Sequence, residues 1–234
     1  MEKKTINIIS PCRGSGATFV ATTLAFIMGQ YQENVTYLEG SHHGAGHSQP
    51  FYELSLDKLM WSKGFLDFFE LKKVGQKVNN RVNFYQNVNW VTRCSMEFKD
   101  VKVFPKDVAG RYVIWDEHDP SEEADLVLCV VDPLPSRVIS SAKKIEEYKS
   151  EYWNKICWVF NKADSETARE ASKFLNIKSD FIIPMEAQEN FYKAQNNSVA
   201  LADPANEKKK LLPHLTPGVK VVFEEITQHI LTLY

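Results

Sequence analysis

The first chemical signal in this chain is one spacing. Gly14, Gly16 and Thr18 form a Gly-x-Gly-x-Thr skeleton just after an apolar run, Ile6, Ile8 and Ile9. A helical pattern follows, with Phe19, Val20, Leu24, Ile27 and Met28 at helix-like spacing. A strand, a glycine loop and a helix N-terminus in that order make an anion-binding geometry. Glycines let the backbone curl until several N–H groups face one centre, and the helix dipole adds positive potential there. Arg13, Ser15, Ala17 and Phe19 complete the stretch that would wrap a phosphate. The lysine that usually precedes the hydroxyl residue of such a loop is absent, because position 17 is alanine. Arg13 carries a positive charge, but its position suits the outside of the loop.

A second signal lies about a hundred residues on. Arg111-Tyr112-Val113-Ile114-Trp115-Asp116 reads as an apolar strand that leaves a carboxylate at its C-terminal edge. A phosphate-loop site needs such an acid to hold Mg²⁺ through water. In isolation Asp116 is as readily a turn residue; its value comes from following a phosphate loop. Three histidines, His42, His43 and His47, share a glycine-rich stretch. His43 and His47 have the spacing of two ligands on one helical turn, but Gly44 and Gly46 argue against a helix there. A flexible loop near a ligand is the better reading. Cys12 sits beside the helix N-terminus, where a thiolate is favoured, yet no histidine base accompanies it.

The elements that would position these residues alternate. Strands are read at 34–39, 111–116, 126–131, 156–160 and 181–184, with shorter strands or irregular edges at 82–91 and 98–103. Helices are read through residues 51–75 (one or two), from a cap at Ser136 to about Tyr152, at 166–175, 187–195 and 219–233. Leu126 to Val131 is apolar throughout, as is Ile156 to Phe160, which marks strands covered on both faces. The pattern predicts an α/β fold, a mostly parallel sheet flanked by helices on both faces, over a single domain spanning 1–234. Ligands of such sheets bind at the carboxyl ends of the strands. The special segments, including 12–18, 39–47, 116–120 and 161–164, all fall at such ends.

Composition narrows the class. The chain has 234 residues, is 44% hydrophobic and 25% charged, and carries a formal net charge of -2, so it has no overall bias toward nucleic acid or anionic lipid. DNA is therefore a disfavoured partner, though one left open. The four cysteines are widely spaced and give no disulfide framework. With no signal-peptide stretch and no apolar run of about 20 residues, no transmembrane segment is expected and the cytoplasm is the expected location.

Together these residues resemble the ParA/MinD family of deviant Walker A P-loop ATPases over nearly the whole chain. The family loop, Lys-Gly-Gly-x-Gly-Lys-Thr, falls on Cys12-Arg13-Gly14-Ser15-Gly16-Ala17-Thr18 without a gap. Its second strand ends where Glu39-Gly40-Ser41-His42-His43-Gly44 stands here, and its Tyr-Asp-x-Ile-Ile-Ile-Asp strand matches the run to Asp116. The resemblance implies ATP or ADP with Mg²⁺ as cofactor, Thr18 and Asp116 on the metal side, and an adenine pocket using Asn161 and the segment at Pro184. It also implies a homodimer and a protein partner within a larger assembly. The departures fall on the chemistry. The phosphate-reaching lysine is Ala17, the signature lysine that crosses the dimer is Cys12, and the second switch acid is Ser41. Removing one preorganised donor of this kind costs roughly 10²–10³ in rate. The expectation is a degenerate member, non-catalytic or a very weak ATPase, similar to the TadZ/CpaE branch. The alternative is a slow ATP-driven switch in DNA partitioning or division-site placement.

Overall fold

The computed structural model describes residues 2–32, 34–40, 64–79, 81–93, 100–117, 119–196, 201–205 and 215–233. Eight strands form one sheet: β1 (Lys4–Ile9), β2 (Val35–Glu39), β3 (Phe84–Tyr85), β4 (Val88–Val91), β5 (Tyr112–Asp116), β6 (Leu126–Val131), β7 (Ile156–Asn161) and β8 (Phe181–Ile183). Their order is β3-β4-β2-β5-β1-β6-β7-β8, and every pairing is parallel except the short β3–β4 edge. Among the described residues the helices are α1 (Ala17–Tyr31), α2 (Phe68–Lys73), α3 (Pro135–Tyr152), α4 (Ser165–Leu175), α5 (Gln188–Asn196) and α6 (Pro217–Leu233).

Side-chain alternation along each strand builds a core on both faces. Ile6 and Ile8 of β1 join Leu128 and Val130 of β6 beneath α1 and α6, where Leu24, Phe26, Phe223 and Ile226 are fully buried. Ile9, Val127, Cys129 and Val131 face the other way, onto Val138 and Ile145 of α3 and Ala168 and Leu175 of α4. A third cluster packs Phe68 and Phe69 of α2 on Leu38, Val91, Val113 and Trp115. Helix α1 is buried almost all round from Phe19 to Gly29, as its near-uniform apolarity requires. Burying each large apolar side chain contributes about 1.5–3 kcal/mol. The carboxyl edge of the sheet lies between these two covered faces.

Two helix starts change. Helix α3 begins at Pro135 after Leu134, with no side-chain cap, so Ser136 lies inside its first turn. Proline lacks an N–H, which leaves one fewer orphan donor for a cap to satisfy. Helix α6 starts at Pro217, two residues earlier than its apolar pattern indicates. Of the two alternatives at 98–103, the described part is irregular rather than strand, and a 3₁₀ turn at Pro105–Asp107 follows. Within 82–91 the strands are two and short. The helices expected across 51–75 fall largely outside the described residues, except for α2. No helix among the described residues is long and apolar enough to cross a membrane.

Candidate functional site

The loop between β1 and α1, residues 10–16, sits at the carboxyl edge of the strand between β5 and β6. Two buried hydroxyls knit it from within. Ser15 Oγ donates to Ser10 Oγ at 2.6 Å, and Ser10 Oγ donates to the Cys12 carbonyl at 2.5 Å. Gly14 and Gly16 have φ of 79° and 91°, the left-handed region that favours glycine. Gly16 is needed twice over, because a Cβ there would collide with the Asn161 side-chain amide.

Three side chains from other elements hold the loop from outside. The Arg137 guanidinium, in the first turn of α3, donates to the Arg13 carbonyl. Lys162 Nζ, just past β7, donates to the Gly14 carbonyl at 2.7 Å. Asn161 Nδ2 donates to the Ser15 carbonyl, also at 2.7 Å. Lys162 reaches inward from a backbone at φ 61° and pairs with Asp132 Oδ2 at 3.3 Å. Asp132 is itself fixed by the Leu134 N–H on its other oxygen.

Asp116 ends β5 one strand away, opposite Ile8 of β1. Its carboxylate accepts a hydrogen bond from the Tyr37 hydroxyl at 3.0 Å, and its carbonyl accepts the Gly40 N–H at 2.7 Å. Tyr37 is almost wholly buried, so the carboxylate is aimed by the core beneath it. On the far side, Asn161 of β7 pairs with Ile183 of β8, and Pro184 follows, exposed.

The residues singled out in the sequence therefore line one edge, though they differ in what they present. Arg13 and Gly14 are exposed; Gly16, Ala17 and Thr18 are half-buried on the loop and first turn; Ser15 is buried. Phe19 turns into the core, its ring edge-on to Phe191 and Phe223 at 5.5 and 5.8 Å, so only its backbone faces the loop side. Asn161 is 2% exposed, with its amide nitrogen already committed to the loop. Ser41 and the three loop histidines lie outside the described residues. Among the described residues, no three His, Cys, Asp or Glu side chains gather as a metal site. Sequence reasoning missed Arg137, Lys162 and Tyr37. For Lys162 a signal existed in its place beside Asn161 at a strand end.

No protein-family model and no curated protein sequence matches this chain. Solved structures do. A plasmid partition protein of Borrelia burgdorferi bound to AMPPNP aligns with a TM-score of 0.68 at 13% identity, covering 100% of both chains. A chain of the MinC:MinD cell division protein complex of Aquifex aeolicus aligns at 0.67 and 13%, over 98% of this chain and 96% of that one. The septum site-determining protein MinD of Pyrococcus horikoshii, complexed with Mg-ADP, aligns at 0.66 and 13%, over 97% and 96%. The chain has the ParA/MinD-like P-loop fold.

Proposed function

We propose that this chain is a nucleotide-binding positioning module: it takes up ATP or ADP with Mg²⁺ at residues 13–19 and turns it over very slowly or not at all. The carrying observation is the loop's own chemistry. The N–H groups of Gly14, Ser15 and Gly16 donate to no acceptor among the described residues, and no lysine stands at position 17. Backbone donors at a helix N-terminus hold phosphate without side-chain charge. Phosphoryl transfer depends further on charges placed at the transferring group. Thr18 and Asp116 would hold Mg²⁺ alongside phosphate oxygens and water, and the metal would neutralise phosphate charge there. Asn161 and the segment at Pro184 would border the base.

The similar structures bound to AMPPNP or Mg-ADP support a nucleotide here, and the MinC:MinD complex supports a protein partner. On this reading the chain works in the cytoplasm as one domain, as a homodimer or with one protein of a larger assembly. The loss of the lysines at 12 and 17 favours a scaffold. The Thr18 and Asp116 pair favours a second reading, a slow ATP-driven switch in partitioning or division-site placement.

Calorimetric titration with MgATP beside a thermal-shift series tests the proposal. Nucleotide at about a hundred times its Kd stabilises by about 2.7 kcal/mol, which raises Tm by roughly 5–11 °C for a chain of this size. No heat and no shift at millimolar nucleotide would sink it.

A further inference from the structure

The loop's outer side carries an arrangement that goes beyond nucleotide binding as such. Three successive carbonyls, of Arg13, Gly14 and Ser15, each accept one donor from a different side chain: Arg137, Lys162 and Asn161. In a trans peptide the C=O of one residue and the N–H of the next point in opposite directions. Drawing these three oxygens outward therefore turns the N–H groups of Gly14, Ser15 and Gly16 toward the concave side. None of those three amides has an acceptor among the described residues, and neither do those of Ala17 and Thr18 that follow in the first turn of α1.

The donors come from two elements that meet over the loop, the start of α3 and the end of β7. Lys162 and Arg137 bring positive charge to a loop whose residue 17 has none, and Asp132 accepts from Lys162. The Lys162 side chain remains 38% exposed.

We infer that Arg137, Lys162 and Asn161 are positioning residues that orient the loop's amides for a phosphate before any ligand arrives, with Lys162 and Arg137 replacing from outside the charge that Ala17 lacks. This rests on the nucleotide reading of the same loop. The brace acts on peptide planes and local potential rather than by touching the transferred group, so it supports binding of a polyphosphate without restoring turnover.

Two measurements on the full chain test it, using wild type, the double variant Lys162→Met/Arg137→Met, and Lys162→Arg. The first is limited trypsin digestion without nucleotide, reading cleavage of the Arg13–Gly14 bond. The second is MgATP affinity by calorimetry at two salt concentrations. Charge-assisted hydrogen bonds of this kind are each worth roughly a factor of ten or more in an equilibrium. The double variant should cut at least about fivefold faster at Arg13 and bind MgATP at least about tenfold more weakly, with a shallower salt dependence. Lys162→Arg should keep both values near wild type. A Tm for the double variant within a few degrees of wild type separates loss of the brace from loss of the fold; if the double variant unfolds, Lys162→Met alone is read in the same way.

Wild-type cleavage and affinity in the Met variants would overturn the brace and leave the nucleotide reading standing. A wild type that binds neither MgATP nor pyrophosphate would overturn the nucleotide reading and the brace's ligand together.

Discussion

Gly16 answers to two constraints at once, a φ of 91° and the Asn161 amide where its Cβ would stand. Gly16→Ala should therefore cost more than backbone strain alone, about 2 kcal/mol or more, and lower Tm by roughly 4–8 °C while weakening MgATP. Differential scanning calorimetry with and without nucleotide measures both. Cys157 gives a second residue-scale expectation. Burial, reinforced by Asp180, pushes its thiol up to about 11, so at pH 8 it holds roughly a hundredfold less thiolate than an ordinary cysteine. Iodoacetamide mapping by mass spectrometry should find Cys157 correspondingly slow, and rapid labelling there would contradict its burial against His229. Gly14, Gly16 and Thr18 were legible because a glycine turn declares itself within a few residues. Arg137 was not, and Lys162 only through its place beside Asn161, because the carbonyls they hold lie 124 and 148 residues away in sequence. No local pattern encodes such a pairing.

Helix α4 carries a capping box. The Asp164 carboxylate accepts the N–H groups of Thr167 and Glu166, and the Thr167 hydroxyl oxygen in turn accepts the Asp164 N–H. These bonds, Thr167 first, hold the Asp164 carboxyl below its ordinary range. The stability it contributes is present above the unfolded-state value, about 3.9, and is lost as pH falls through the lower folded value. Asp164→Asn keeps an acceptor that does not titrate in this range, so its Tm should fall less than that of wild type between pH 5 and pH 2. In the main core, Trp90 packs its ring 4.7 Å from Phe26 and 5.1 Å from Tyr37. Trp90→Ala should cost about 3–5 kcal/mol, read from the urea midpoint, and should loosen Tyr37 beneath Asp116. Period and apolarity marked the long strands and helices well, since those signals are local and repeated. Strand and irregular edge could not be told apart at 98–103, because apolar residues at and just after it, Val101, Val103 and Phe104, serve the α2 cluster without joining the sheet.

For the molecule as a whole, a switch and a scaffold part company on two substitutions. Thr18→Ala and Asp116→Ala should abolish ATP-dependent dimerisation if the chain is a switch. If it is a scaffold, both variants fold and engage the partner normally; analytical ultracentrifugation with and without MgATP reads the difference. Alternation of strand and helix patterns made the layered class legible, but strand order was not, because several strands are apolar enough to occupy any interior position. Order is decided by pairings between distant segments. That has a consequence for how the chain is made. β1 emerges from the ribosome well before its neighbours, residues 112–116 and 126–131, and the Thr5 N–H waits for the Asp125 carboxylate 120 residues later. At about 5–20 residues per second, the phosphate loop is synthesised roughly 6–25 seconds before the strands that flank it exist. A nascent chain stopped at residue 110 should show no cooperative unfolding by circular dichroism, its most apolar edges bare and in need of a chaperone.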